Sequence, residues 1–185
     1  LRGHRYEDAN KHVFFNFKFL HAKISCMPLQ SLLADMEDSM SFQPDRDIKL
    51  LADALRLSSS VLNKFPDMLG PQIIGRLLPY FNSHPKLQVL IQQCDSDGLE
   101  VNALVPSYHC MHTPGGPLQF SLEGHPFAPF GVAITSDSKY LVSVSNIFII
   151  WDLTTGDVFR QIAPGIKGIM QNLVLTPDDK LGIGY

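Results

Sequence analysis

A five-residue phrase occurs twice. Thr135-Ser136-Asp137-Ser138-Lys139 returns 41 residues later as Thr176-Pro177-Asp178-Asp179-Lys180. At the same offset Val132-Ala133-Ile134 meets Leu173-Val174-Leu175, and Gly124 meets Gly165. A fixed period is the strongest constraint a sequence can place on its own fold. Each copy must be one supersecondary unit that buries its apolar face against the next copy. Within the first period the apolar pattern has period two or short buried runs, which argues strands over 131–134, 139–145, 147–153 and 157–162. Ser136-Asp137-Ser138, Asn146 and Thr154-Thr155-Gly156 separate them as turns. One antiparallel meander of four strands is therefore expected, with 172–175 opening a second.

A period of about 40–45 residues with four strands and paired Gly-His and Trp-Asp markers is characteristic of one class of repeat. Gly124-His125 and Trp151-Asp152 stand at those two places. The segment 118–162 resembles a first WD repeat, and 163–185 the start of a second, truncated one. The resemblance implies a β-propeller in which Gly124, His125, Asp137, Ser143, Trp151, Asp152 and Asp178 are structural markers and none is catalytic. In the family a His, a Ser or Thr, a Trp and an Asp bond across the blade. His125, Ser143 and Trp151 match the first three, whereas Asn146, in a shortened turn, stands where the Asp is usual.

The first half reads differently. Val13, Phe17, Leu20 and Ile24 share one helical face, with Phe14 beside them. Pro28 sits where a helix carrying Leu29, Leu32, Leu33 and Met36 would begin. Asp45 is a helix N-cap, and Ile48, Leu51, Leu55, Leu62 and Phe65 then recur at helical spacing until Pro66. A fourth helix is read through Ile73, Ile74, Leu77 and Tyr80, and a fifth through Leu87, Leu90 and Ile91. Short breaks between short helices predict antiparallel neighbours in a bundle or α-solenoid segment. The fold class is thus α then β: a helical connector over 1–97, a Ser-, Gly-, Pro- and His-rich linker over 98–117, then the repeats.

A second resemblance runs through both halves. Asp53-Ala54-Leu55-Arg56-Leu57-Ser58, Gly70-Pro71-Gln72-Ile73-Ile74-Gly75-Arg76-Leu77, Pro114-Gly115-Gly116-Pro117-Leu118 and Leu122-Glu123-Gly124-His125 form a series. That series is similar to the helical connector and first blade of the NACHT and WD repeat domain-containing proteins, large signalling NTPases. Phe19 departs from it, standing where such connectors often carry Trp. The resemblance implies a cytoplasmic, non-catalytic scaffold segment that binds other proteins. It places ATP or GTP on a domain upstream of Leu1, so no cofactor is expected in this chain, and it leaves self-association of the parent open. Because the chain opens on Leu1 and the second repeat is cut short, a fragment is expected. A WD adaptor of another kind, of a vesicle coat or a ubiquitin ligase, is the alternative. An enzyme with its site in the helical half is the second alternative, for which no constellation is found.

Composition narrows the partner class. Net charge is −3 and charged residues are 18%, so no basic field is available for nucleic acid. The longest apolar run, Ile147 to Trp151, is too short to span a bilayer. Cys26, Cys94 and Cys110 are three at wide spacings, which suits a reducing interior rather than a disulfide framework. Gly70 to Leu77 mimics a phosphate loop, but Arg76 and Leu77 replace the required Lys and Ser or Thr. His109, Cys110 and His112, with Cys94, lack metal-site spacing, and a loop in solvent is the plainer reading. Cys26 reads as a structural thiol. Asp35, Glu37 and Asp38 read as a solvated helix end, and Phe14, Phe15, Phe17 and Phe19 as core, with one or two available to an upstream domain.

Overall fold

In the computed structural model the described residues are 13–97, 105–118, 120–165, 170 and 172–180, with the backbone of 182–184. The chain divides into two compact units, Leu1–Ser121 and Leu122–Tyr185.

The first unit is helical. Its elements are α1 (Phe17–Cys26), α2 (Leu29–Phe42), α3 (Arg46–Leu57), α4 (Ser59–Leu62), α5 (Leu69–Leu77) and α6 (Pro85–Asp97), with 3₁₀ turns at Pro66–Met68 and Leu78–Tyr80. Helix α1 begins later than the apolar spacing suggests. Asn16 caps it by accepting from the Phe19 N–H at 3.1 Å, so Val13 and Phe14 lie in the preceding turn. Helix α3 starts where the cap predicts: Asp45 accepts from the N–H groups of Asp47 at 2.9 Å and Ile48 at 3.3 Å. Burial alone would push the Asp45 carboxyl up, but the Lys86 ammonium and these N–H donors outweigh it and leave it below its usual range.

One helical reading needs correction. The stripe from Ile48 to Phe65 is not a single helix, because α3 stops at Leu57. Ser58 leaves the helical region at φ −101° and ψ 1°, and its hydroxyl donates back to the Ala54 carbonyl at 2.8 Å, a bond that weakens and bends a helix. Leu62 remains in the core, but Phe65 is 60% exposed.

Helix α3 is the centre of the unit. It packs on α2 and α5, while α6 packs on both α5 and α1. Leu20, Leu32, Met36, Ile48, Leu51 and Leu87 are all fully buried there. Each such side chain contributes about 1.5–3 kcal/mol from burial. Phe14, Phe15 and Phe17 join this core, whereas Phe19 is exposed. The acidic residues after Leu33 are partly engaged: Asp35 pairs with Lys23, and Glu37 pairs with an Arg56 that also holds Asp53.

The second unit is an antiparallel meander. Strands β1 (Gly131–Ile134), β2 (Tyr140–Val144), β3 (Phe148–Asp152) and β4 (Val158–Ile162) lie side by side in chain order. Val142 is opposite Ala133 on one side and Ile150 on the other, and a bulge at Ile150/Trp151 shifts the β3–β4 register. Strands β5 (Leu173–Leu175) and β6 (Gly182–Gly184) pair in a separate two-stranded sheet.

Candidate functional site

The sequence repeat is a repeat of backbone. In the first turn the Thr135 hydroxyl donates to Asp137 at 2.7 Å, and the N–H of Ser138 donates to the Thr135 carbonyl at 2.8 Å. In the second, Thr176 donates to Asp178 at 2.6 Å and the N–H of Asp179 to the Thr176 carbonyl at 2.9 Å. Ser138 and Asp179, 41 residues apart, are both left-handed, with φ of 58° and 57°. Each costs strain that a short polar side chain tolerates best. The Thr135 hydroxyl, then the Lys139 N–H, holds the Asp137 carboxyl below its usual range, and Thr176 and Lys180 do the same for Asp178. The two copies are also tied to each other. Asp179 accepts from the Ser136 N–H at 2.8 Å and from its hydroxyl.

The apolar faces follow from alternation along β2 and β3. On one face Val142, Val144, Phe148 and Ile150 pack with Met170, Leu173 and Leu175 from the second copy. On the other, Ile149 and Trp151 pack with Ile147, Leu141 and Leu122. The copies also approach closely at Gly131: an added Cβ would stand 2.8 Å from the Leu173 nitrogen and 2.9 Å from the Asn172 carbonyl carbon.

Three marker residues meet at one point. The Trp151 indole N–H donates to Ser143 Oγ at 2.7 Å, and Ser143 Oγ lies 2.6 Å from His125 Nε2. The other ring nitrogen, Nδ1, lies 3.0 Å from Ser145 Oγ, which donates to Asn146 Oδ1 at 3.0 Å. Burial pushes the His125 imidazole below its ordinary range. Gly124 is the approach point: a Cβ there would stand 3.1 Å from the Trp151 ring. Asp152 is apart from this group and caps the next turn by accepting from the Thr154 N–H at 2.7 Å. Ser145 was not singled out by sequence reasoning. Its only signal was its place beside Asn146 in the turn.

The other candidate chemistries fall elsewhere. The Gly70–Leu77 segment lies in helix α5, with both glycines buried. Arg76 donates to Ser58 Oγ at 2.8 Å, the Leu57 carbonyl at 2.9 Å and the His112 carbonyl at 3.0 Å. Among the described residues no three His, Cys, Asp or Glu side chains converge to hold a metal. Cys94 is buried in the helical core, where burial and then the Asp95 charge push its thiol far up, while Cys26 and Cys110 are exposed. The segment after 105 is not simply a loop in solvent. Met111 sits against Gly75, Pro114 is buried, and Tyr80 donates its hydroxyl to the Pro114 carbonyl at 2.9 Å. Two carbonyls of this proline-bearing stretch, those of His112 and Pro114, thus accept from side chains of the helical unit in place of ladder partners.

A helical unit followed by repeated antiparallel hairpins defines a chain of the α-then-β, repeat-bearing class. No family model matches it. It is similar to NACHT and WD repeat domain-containing protein 2 from Homo sapiens and to its counterpart from Mus musculus. Each is 28% identical over 170 residues, covering 91% of this chain and 10% of the relative. The chain therefore spans about a tenth of the length of these relatives. The resemblance to the NACHT and WD repeat domain-containing proteins read from the sequence stands on these two. No helix among the described residues is long and apolar enough to cross a membrane.

Proposed function

We propose that this chain is the helical connector and first WD blade, with the start of a second, of a nucleotide-regulated signalling protein in the cytoplasm. Its work is to hold other proteins, and it carries no chemistry of its own. The observation that supports this most is the doubled Thr-x-Asp turn, 41 residues apart, with the second copy packed on the first. In this reading 98–117 joins the connector to the blade, and His125, Ser143 and Trp151 fasten the blade. Nucleotide binds a domain N-terminal to this chain, and Arg76 is a structural donor rather than a phosphate ligand. The outer strand β4 is exposed throughout. A photo-crosslinking residue at Phe159 of the full-length product, expressed in cells, tests the role. One partner protein, crosslinked reproducibly and lost on Trp151→Ala, is expected. Crosslinks confined to the parent chain, or saturable ATP binding by the 185-residue chain that Arg76→Ala removes, would overturn it.

A further inference from the structure

His125 connects two ends whose proton supply is fixed. At one end the Trp151 indole can only donate, so Ser143 Oγ accepts from it. The Ser143 hydroxyl proton is then free to point at His125 Nε2. That nitrogen must be unprotonated to receive it. The ring proton therefore sits on Nδ1 and points to Ser145 Oγ, whose own proton goes to Asn146 Oδ1. In this direction every hydrogen has an acceptor. Reversing the Asn146 amide reverses part of the chain, but the Ser143 proton then loses its acceptor. The ring is neutral in either case.

We propose that His125 is an acid-sensitive pin, whose protonation breaks the hydrogen-bonded chain from Trp151 to Asn146 and frees the Leu122–His125 segment from β2 and β3. A second ring proton on Nε2 would face the Ser143 hydroxyl, which already accepts from Trp151 and would lose the acceptor for its own proton. Among the described residues no charged side chain is bonded to the ring to repay this. Among the described residues the side chains facing it are Ser143 from β2, Trp151 from β3 and Ser145 from the turn. None of these titrates near neutral pH. Of the charged residues on β2 and β3, Asp152 is turned to Thr154. Glu123, the charged residue nearest in sequence, is exposed. Asn146 supplies an amide, not a carboxylate. The inference rests on this geometry and is independent of the WD reading.

The sign follows from linkage. An unfolded histidine takes its proton near pH 6.5, whereas burial holds the folded ring lower. The pin's contribution is full above about pH 7 and is lost as pH falls through about 6.5 toward the folded value. Asp137 and Asp178, held low by their turns, stay ionised through this window.

Trp151 is the sole tryptophan of the chain and His125 the sole histidine of Leu122–Tyr185, so the fluorescence reports this unit, and among the chain's seven histidines the His125 ring signal is the one lost in His125→Gln. On the 185-residue chain, nitrogen-15 spectra of the His125 ring and Trp151 fluorescence melts would be followed from pH 7.5 to 5.5. The expected result is an Nδ1–H tautomer at pH 7.5, a ring that titrates below 6.5, and a Trp151 melting temperature that drops across the window. Asn146→Asp places a carboxylate one hydroxyl away, so it should raise the ring's titration point and shrink that drop. His125→Gln should melt lower but with a flat pH profile. A ring titrating at or above 6.5, a pH-independent wild-type melt, or an Asn146→Asp profile identical to wild type would each overturn the proposal.

Discussion

Ser143→Ala isolates the fastener at the centre of the sheet unit. The hydroxyl it removes accepts from Trp151 and bonds His125, and both Ser143 and Trp151 are buried, at 3% and 2% exposure. The two lost bonds do not count equally. His125 is half-buried, so water can reach its freed nitrogen. The Trp151 N–H has no such recourse and becomes a buried donor without a partner, which costs about 1–3 kcal/mol. The void left by one oxygen adds little. For a unit the size of Leu122–Tyr185, 1 kcal/mol corresponds to roughly 4–8 °C in melting temperature, so a fall of at least about 4 °C is expected. Trp151 fluorescence reads it directly in thermal unfolding of the whole chain. Ser143→Thr, which keeps the hydroxyl, should recover most of the loss. A shift in Ser143→Ala below about 1 °C would refute the assignment of a stabilising role to the bridge.

Two further substitutions probe the other joints. Gly131→Ala puts a methyl against backbone atoms of Asn172 and Leu173, which cannot swing aside. It should cost about 1–3 kcal/mol as overpacking and raise amide exchange in Leu173–Leu175, and unchanged exchange there would show that the copies are not in contact. Arg76→Ala removes the donor to Ser58, Leu57 and His112. It should destabilise the helical unit by about 1–3 kcal/mol and expose 105–118 to limited proteolysis, and cleavage at the wild-type rate would argue against that clasp.

What could be read from sequence was what local chemistry decides. Asp45 announced its cap because a carboxylate before an apolar stripe satisfies orphan N–H groups wherever the helix ends up. The turns at Asp137 and Asp178 were legible for the same reason, and their spacing carried the repeat. The break at Ser58 was hidden, because the apolar period continues through it to Leu62 while its backbone leaves the helical region, at φ −101° and ψ 1°. The packing of 105–118 was also hidden. Its proline and glycine content speaks of irregular backbone, but its partners Gly75, Arg76 and Tyr80 lie on another part of the chain. Asn146 was legible as a departure from the Asp usual in WD repeats. That Ser145 links it to His125 depends on the three-residue turn between β2 and β3, which spacing alone does not fix.

The most direct measurement is an experimental structure of the full-length product at a resolution that traces strands. Strands β1 to β4 should form one blade in chain order, with 173–175 and 182–184 in the adjacent blade and Asp179 bonded to Ser136. Helix anywhere in 131–153, or β5 and β6 continuing the same sheet as β1 to β4, would contradict it.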